Sequence, residues 1–196
     1  LGRCPRLSVA YDGRVSSPAL ESELVRCMLC SGADVVRVGL GPTPMLYFSI
    51  TVLDRDGGIM VTGSHNPPNF NGFKLALGGM PFWDEDIQYL GRVIADGTYA
   101  EGNGGLTECR VENEYVARVS QEYRSSSGLS VAWDPGNGAA GSILRKLVTC
   151  LPGKHIVLNG EIDGTFPSHH PDPTVAENLE ELIAAVQEHS CDLGIA

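Results

Sequence analysis

The chain has 196 residues, 42% of them hydrophobic and 19% charged, and this composition suits a globular protein of one or two domains. The formal net charge is −10, and so acidic a protein lacks the basic surface on which nucleic acids and anionic membranes bind. No apolar run approaches the roughly 18 residues of a membrane-spanning helix, so the sequence predicts neither a nucleic acid nor a membrane as a partner.

Strand-like and helix-like segments alternate through the first half of the chain. The predicted strands lie at residues 7–11, 35–40, 57–62 and 73–77, and the predicted helices lie at 19–31, from 44 onward and at 84–94. The strands end in turns rich in Gly, Pro, Ser or Asn, which is typical of the β-α-β units of a parallel sheet.

Six cysteines are scattered along the chain, and two of them, Cys27 and Cys30, match the C-x-x-C pattern of redox and zinc sites. Both lie in the predicted helix at 19–31, and no second C-x-x-C pair exists to complete a zinc site. We therefore interpret them as reduced thiols packed in the core, which predicts a cytoplasmic protein.

The second half of the chain repeats the alternation after a glycine-rich segment at 96–105, which we interpret as a linker. Helices are predicted at 112–123, 139–151 and 176–189, and strands at 129–133, 155–158 and 192–196. Two successive β-α-β runs predict an α/β protein with two consecutive three-layer α/β/α domains and mainly parallel, mixed sheets. We place these domains at residues 1–104 and 105–196.

The most informative loop follows the predicted strand at 57–62, because ligands gather at the carboxyl ends of parallel strands. It reads G-S-H-N-P-P at residues 63–68, and its Gly, Asn and Pro residues favour a backbone that exposes the side chains between them. Ser64 and His65 lie at its centre, and Lys74 follows a few residues later. A hydroxyl, an imidazole and an ammonium group together suit the holding or passing of a phosphoryl group.

Two other interpretations of this loop remain open from the residue types alone. Ser64 and His65 can simply cap backbone groups of an ordinary turn. A Ser-His hydrolase is the weaker rival, because adjacent residues do not naturally place the imidazole behind the hydroxyl and no G-x-S-x-G elbow is present.

The stretch T-G-S-H-N-P at 62–67, followed by N-G-F-K at 71–74, resembles the phosphoserine loop of the α-D-phosphohexomutases, in the form found in their phosphomannomutase/phosphoglucomutase branch. The resemblance implies intramolecular phosphoryl transfer between the 1- and 6-positions of mannose or glucose phosphate, through a bisphosphate intermediate. It assigns the transferable phosphate to Ser64. It also implies His65 and Lys74 as acid/base or charge-stabilising partners, and Asn66 as a phosphate-binding residue that orders the loop.

Two further motifs support the resemblance. D-G-R-V-S-S-P at 12–18 is similar to a turn of the same family. We expect Arg14 to bind phosphate through paired, charged hydrogen bonds. The alternative is an arginine that faces solvent or forms a salt bridge. D-P-G-N-G-A-A-G at 134–141 is similar to the start of the family's second domain. It also contains G-x-G-x-x-G, so a dinucleotide-binding oxidoreductase is an alternative, although the next predicted strand does not end in an acidic residue.

The segment at 163–174 is rich in His, Asp and Pro, and these residue types first suggest a metal site. It has no sustained ligand spacing, and it resembles a segment of the same mutase branch. We therefore interpret it as an ordered loop of the second domain.

In the family, the strand predicted at 192–196 leads into an Asp-rich loop that holds Mg²⁺ together with the serine phosphate. The resemblance thus implies Mg²⁺ with Ser64 as a ligand through its phosphate and with Asp ligands beyond Ala196. It also implies an opening segment before Leu1 and further C-terminal domains. We expect these 196 residues alone to be inactive as a mutase, and a non-catalytic sugar-phosphate-binding fragment remains an alternative.

Overall fold

The structure is a computed structural model that describes residues 4–125 and 127–196. Its contacts divide the chain into two compact units. The first contains the chain up to Tyr11 together with Ser16–Thr62 and Gly72–Val111, and the second contains Asp12–Val15, Gly63–Asn71 and Glu112–Ala196. Two short loops from the first half of the chain therefore belong to the second unit.

The first unit is built on a six-stranded mixed sheet of strand order β5-β4-β3-β1-β2-β6. Its strands are β1 Arg6–Tyr11, β2 Asp34–Leu40, β3 Gly57–Val61, β4 Phe73–Leu77, β5 Met80–Pro81 and β6 Leu106–Glu108. The pairs β1–β2, β1–β3 and β2–β6 are parallel, whereas β3–β4 and β4–β5 are antiparallel. Parallel pairing brings the ends of β1 and β3, from which the two loops leave, to the same edge of the sheet.

The helices of the first unit are α1 Ser17–Cys30, α2 Thr43–Val52 and α3 Glu85–Asp96. Both α1 and α2 carry a proline in the first turn, where its fixed φ suits the helix and its missing N–H has no intrahelical partner. Val25 of α1 is fully buried against Val9 and Val35 of the sheet, which forms the core of this unit. The expected core position of Cys27 and Cys30 is wrong: both are free, exposed thiols, because α1 buries its Val25 and Met28 face instead.

The second unit has a three-stranded parallel sheet of order β8-β7-β9. Its elements are α4 Glu112–Ser120, β7 Leu129–Trp133, α5 Gly141–Val148, β8 Gly153–Val157, a 3₁₀ turn Ala176–Leu179, α6 Glu180–Glu188 and β9 Leu193–Ile195. Ala132 of the central strand packs with Leu182 and Ala185 of α6. The predicted α/β class with mainly parallel, mixed sheets is confirmed in both units.

Two strands were not predicted from the sequence. The short β5 and β6 have only exposed residues, and β6 lies directly after the glycine-rich segment at 96–105. The division of the domains at residues 104 and 105 stays a prediction. Among the described residues, no helix has both the length and the apolar character that spanning a bilayer requires.

Candidate active site

The predicted phosphoserine loop, Gly63–Asn71, is referred to below as the serine loop. It leaves at the end of β3 and returns at the start of β4, where Val61 pairs with Phe73 and the Thr62 N–H donates to the Gly72 carbonyl oxygen at 2.9 Å. An antiparallel strand pair therefore closes the segment that carries Ser64.

Two successive turns shape the serine loop. The Asn66 N–H donates to the Gly63 carbonyl oxygen at 3.0 Å, and the Phe70 N–H donates to the Pro67 carbonyl oxygen at 3.0 Å. Ser64 has a φ of +53°, a left-handed conformation that is uncommon for a residue with a side chain. Ser64, His65 and Asn66 are all exposed, so the first turn presents hydroxyl, imidazole and amide groups to solvent.

Arg14 holds the serine loop through hydrogen bonds to the backbone carbonyl groups of that loop. One terminal nitrogen of its guanidinium, Nη1, donates to the carbonyl oxygens of Pro67 at 2.6 Å and Phe70 at 3.1 Å. The other, Nη2, donates to the carbonyl oxygens of Ser64 at 2.8 Å and Asn66 at 2.7 Å. The Arg14 side chain is 0% exposed, whereas the residues that supply the carbonyl oxygens are exposed, so these bonds are partly buried.

Asp12 offsets the charge of the buried guanidinium and also binds a backbone N–H group of the serine loop. Its Oδ2 accepts a hydrogen bond from Arg14 Nε at 3.1 Å and another from the Gly63 N–H at 3.2 Å. Its Oδ1 accepts the Arg14 backbone N–H at 3.0 Å. The Asp-Gly-Arg turn thus fastens the serine loop through both a backbone N–H group and backbone carbonyl groups.

The five N–H groups of the Arg14 guanidinium are matched by five protein oxygen acceptors, four carbonyl groups and Asp12. The direct phosphate contact that the sequence suggested for Arg14 stays a prediction, and it would require one of these bonds to break. The role that the geometry shows for Arg14 is to hold the loop.

Gly63 allows this arrangement because it has no side chain. A Cβ atom at this position would lie 2.5 Å from Arg14 Cζ and 2.6 Å from the Phe70 carbonyl oxygen. Contacts that short would force the guanidinium or the loop backbone to move.

Lys74 lies on β4 and is exposed. Its register partner in β3 is Met60. This position fixes the lysine on a paired strand rather than in a loop, and its action on a phosphate stays a prediction.

The G-x-G-x-x-G turn of the second unit is organised by the buried Asp134. Its Oδ1 accepts the Gly136 N–H at 2.9 Å, and its Oδ2 lies 3.0 Å from His169 Nε2. Asn159 Nδ2 donates to both carboxylate oxygens, at 3.2 and 3.3 Å. This turn is therefore filled by side chains of its own unit.

His169 belongs to the His-rich segment, and its surroundings favour its charged form. Its Nδ1 faces the His170 carbonyl oxygen at 3.0 Å while Nε2 faces the Asp134 carboxylate, so both ring nitrogens meet acceptors. Burial alone lowers the pKa of His169, but these hydrogen bonds and the negative charges of Asp134 and Glu181 outweigh it and raise the pKa above its ordinary value.

The same segment also approaches His65. Hydrogen bonds from Thr174 lower the pKa of Asp172, and electrostatic interactions with His65 and His170 lower it further. The segment expected to be an ordered loop of the second domain thus lies within electrostatic reach of the serine loop.

The described residues do not fit a Mg²⁺ site by themselves. Among them, no group of three or more His, Cys, Asp or Glu side chains is placed to hold a metal ion. A hard cation such as Mg²⁺ needs several oxygen ligands, and a phosphate on Ser64 is the contribution that this chain was expected to make.

Sequence models of the phosphoglucomutase/phosphomannomutase family match most of the chain. The α/β/α domain I of that family matches residues 2–101, and its α/β/α domain II matches residues 113–196. The second match contradicts the dinucleotide-binding alternative for the turn at 134–141.

Comparison with individual proteins also finds members of this family. A phosphomannomutase/phosphoglucomutase from Pseudomonas syringae pv. tomato is 42% identical over 192 residues, which cover 98% of this chain and 41% of the relative. A phosphoglucomutase from Neisseria meningitidis serogroup B is 41% identical over 97% of this chain and 42% of the relative. The crystal structure of a phosphoglucomutase/phosphomannomutase family protein from Burkholderia thailandensis superposes with a TM-score of 0.91 at 37% identity, covering 97% of this chain and 43% of that one. The chain thus spans about two-fifths of the length of these relatives.

Sequence reasoning missed the partners that hold the serine loop. Asp12 precedes Arg14 by two residues, and that spacing was a usable signal for an ion pair within the turn. Phe166, whose ring lies against the Arg14 guanidinium, had no such signal because it is distant in sequence.

Proposed function

Because the chain belongs to the phosphoglucomutase/phosphomannomutase family, we propose that the complete protein is a mutase that moves a phosphoryl group between the 1- and 6-positions of a hexose phosphate. Mannose and glucose phosphates are the proposed substrates. The observation that carries the proposal is the exposed Ser64, with a φ of +53°, in a loop whose carbonyl groups are held by a buried arginine.

In the proposed reaction, Ser64 begins as a phosphoserine. The bond between its Oγ and phosphorus breaks while a free sugar hydroxyl forms a new bond to the phosphorus. The proton of that hydroxyl passes to a base, and the departing Ser64 Oγ takes up a proton from an acid. The product is a hexose bisphosphate. The intermediate then returns its other phosphate to Ser64, so the enzyme is regenerated and the phosphate has changed position on the sugar.

His65 and Lys74 are the proposed partners of Ser64. His65 is its neighbour in the exposed first turn and is suited to take or give the proton of the sugar hydroxyl. Lys74 is proposed to stabilise the charge that develops on the phosphoryl oxygens. Asn66 supports the turn by donating its N–H to Gly63 and offering its carbonyl oxygen to Arg14.

Phosphoryl transfer depends mainly on positioning and on electrostatic stabilisation. The contribution of this chain is a serine on a loop whose carbonyl groups and first N–H group are fixed. We include Mg²⁺ in the proposal for the complete enzyme, with the Ser64 phosphate as one ligand and carboxylates outside this chain as the others. When bound, it would offset negative charge on the phosphate. Further C-terminal domains and a cytoplasmic location are also part of the proposal.

The test is the substitution Ser64→Ala in the complete enzyme, assayed with glucose 1-phosphate, Mg²⁺ and a catalytic amount of a hexose bisphosphate. We expect an unchanged thermal transition and a loss of turnover of roughly 10³-fold or more, since the group that carries the phosphate is absent. The control is Ser22→Ala, at an exposed serine of α1, which should keep its activity. A folded Ser64→Ala enzyme with near wild-type turnover would contradict the proposal.

A further inference from the structure

The proposed function gives no role to the segment at 163–166, D-G-T-F, which lies within the same unit as the serine loop. The ring of Phe166 lies against the guanidinium of Arg14, with the ring centroid 5.1 Å from Arg14 Cζ. This distance is within the range of a cation–π contact, and its effect grows when the cation is withdrawn from water. The Arg14 side chain is fully buried, so the contact is of the desolvated kind.

Hydrogen bonds hold the segment that carries that ring. Asp163 Oδ1 accepts hydrogen bonds from the Thr165 N–H at 2.8 Å and from Thr165 Oγ1 at 2.7 Å. The Phe166 N–H donates to the Asp163 carbonyl oxygen at 3.0 Å, which closes a tight turn. The turn is tied to the Asp134 region because the Asp163 N–H donates to the Asn137 carbonyl oxygen at 3.0 Å.

Phe166 itself has a φ of +51°, which is costly for a residue with a bulky side chain. Such a conformation persists only where the surrounding contacts determine it. Here the turn closed by Asp163 provides those contacts, and the aromatic ring of the same residue lies against Arg14.

Close backbone packing brings the two segments together. A Cβ atom on Gly164 would lie 2.4 Å from the Gly13 carbonyl oxygen and 2.7 Å from Arg14 Cα. A Cβ atom on Gly13 would lie 2.4 Å from Ile162 Cγ2. The backbone of the 163–166 turn thus rests directly on the Asp-Gly-Arg turn, with no room for a side chain between them.

We propose that Phe166 is a positioning residue for the serine loop and that it acts through Arg14. The ring supports one face of the guanidinium while all five of its N–H groups bind the loop carbonyls and Asp12. Loss of the ring lets the guanidinium tilt, and the carbonyl oxygens of Ser64 and Asn66 lose their fixed donors. This inference rests on the proposed function, because it takes Ser64 as the group to be positioned.

The consequence for catalysis follows from geometry. A displacement of about 1 Å at a reacting group can cost about 10²-fold in rate, whereas binding of the substrate by other parts of the enzyme is unaffected. A positioning role for Phe166 therefore lowers kcat and leaves KM nearly unchanged. A purely structural role changes neither in a folded variant.

The test uses three variants of the complete enzyme. Phe166→Leu keeps an apolar side chain but removes the aromatic face, Phe166→Tyr keeps the aromatic face, and Tyr115→Leu is the control at a half-buried aromatic residue of α4. Two quantities are measured in each: kcat and KM for glucose 1-phosphate, and amide hydrogen exchange of peptides covering Gly63–Asn71, where the amides of Gly63, Asn66 and Phe70 are hydrogen-bonded.

We expect Phe166→Leu to lower kcat at least tenfold while KM stays within twofold of wild type. The same variant should speed hydrogen exchange in the serine loop about tenfold or more. Phe166→Tyr and Tyr115→Leu should stay near wild type in both measurements. Equal kcat and equal exchange in Phe166→Leu and Tyr115→Leu would overturn the inference. If Phe166→Leu does not fold, Thr165→Val, which removes the Thr165 Oγ1–Asp163 bond and keeps the ring, must speed exchange in the serine loop, and unchanged exchange would overturn the inference.

The two proposals can fail separately. Exchange in the serine loop reports the structural coupling whether or not Ser64 is the phosphate carrier. If Ser64→Ala is active and Phe166→Leu still speeds hydrogen exchange in the serine loop, only the proposed function is refuted. If Ser64→Ala is inactive and Phe166→Leu leaves hydrogen exchange in the serine loop unchanged, only the positioning role is refuted.

Discussion

Asp12 Oδ2 accepts the Gly63 N–H at 3.2 Å, immediately before the serine that is proposed to carry the phosphate. The same oxygen accepts Arg14 Nε at 3.1 Å, so a single carboxylate joins the first amide of the serine loop to the guanidinium that holds its carbonyl groups. Both side chains are nearly inaccessible, at 11% and 0% exposure, and the pair is therefore shielded from solvent. Local backbone geometry at Ser64 thus depends on a buried ion pair that lies elsewhere in the sequence.

Arg14→Lys should destabilise the protein by about 3 kcal/mol. An ammonium group has three donors and no planar fork, so at least two of the five bonds are lost, and each hydrogen bond to a charged group contributes about 1.5–3 kcal/mol. Urea unfolding measures the free energy of unfolding. The control is Arg118→Lys, in an exposed pair with Glu122 on α4, where we expect a change below about 0.5 kcal/mol. Equal stability of the two variants would show that Arg14 does not hold the loop.

Gly63→Ala should cost about 1–3 kcal/mol of stability, because its Cβ would collide with the anchored guanidinium and with the Phe70 carbonyl oxygen. Gly91→Ala is the matched control. Gly91 lies in α3 with nothing within 4 Å of an added Cβ, so the same change should stabilise that helix by about 0.5–1 kcal/mol. The measurement is the shift in thermal midpoint, and a shift of the same sign at both positions would contradict the close contact at Gly63.

His169 should make stability depend on pH. The pKa of His169 is raised in the folded protein, so its charged form binds Asp134 more favourably than it is solvated in the unfolded chain. The stabilisation is fully present below the unfolded pKa of about 6.5 and is lost as pH rises through the higher folded pKa.

The check is the free energy of unfolding of wild type and His169→Asn between about pH 5.5 and 8.5. We expect the difference between the two proteins to shrink as pH rises above 6.5. A difference that is constant with pH, or that grows toward alkaline pH, would show that His169 is not held as an imidazolium by Asp134.

Lys74→Met should lower kcat of the complete enzyme by about 10²-fold or more if Lys74 supplies the positive charge that is proposed to act on the transition state. Stability should change little, since Lys74 is exposed on β4. Lys154→Met, at an exposed lysine of β8, is the control and should keep its turnover. A Lys74→Met protein that fails to fold would instead assign the residue a structural ion pair.

The fold was predictable where apolar runs are long and are punctuated by turns. The strands Phe73–Leu77 and Leu129–Trp133 match their predicted bounds. The strand Leu106–Glu108 could not be foreseen, because its three residues are exposed and its existence depends on pairing with β2. The last helix starts as a 3₁₀ turn at Ala176–Leu179, a distinction that periodicity does not make over four residues.

The candidate site was predictable only in its chemical groups. Ser64, His65, Asn66 and Lys74 were all recognisable from two short motifs. What holds the loop was not, because the acceptors of Arg14 are backbone carbonyl groups, which every residue has. The contact between Phe166 and Arg14 was not predictable either, because the two residues are far apart in the sequence and meet only in the fold.

The central claim is that Ser64 carries the transferable phosphate, and the mass of the protein tests it most directly. The complete enzyme is incubated with a hexose 1,6-bisphosphate, its intact mass is measured, and the modified peptide is sequenced, with the Ser64→Ala variant treated in parallel. We predict a mass increase of about 80 Da located on Ser64, which persists during turnover of glucose 1-phosphate because each cycle returns a phosphate to the serine, and which is absent from Ser64→Ala. Turnover by an enzyme that shows no phosphate at Ser64 before or during the reaction, or that carries it on another residue, would contradict the claim.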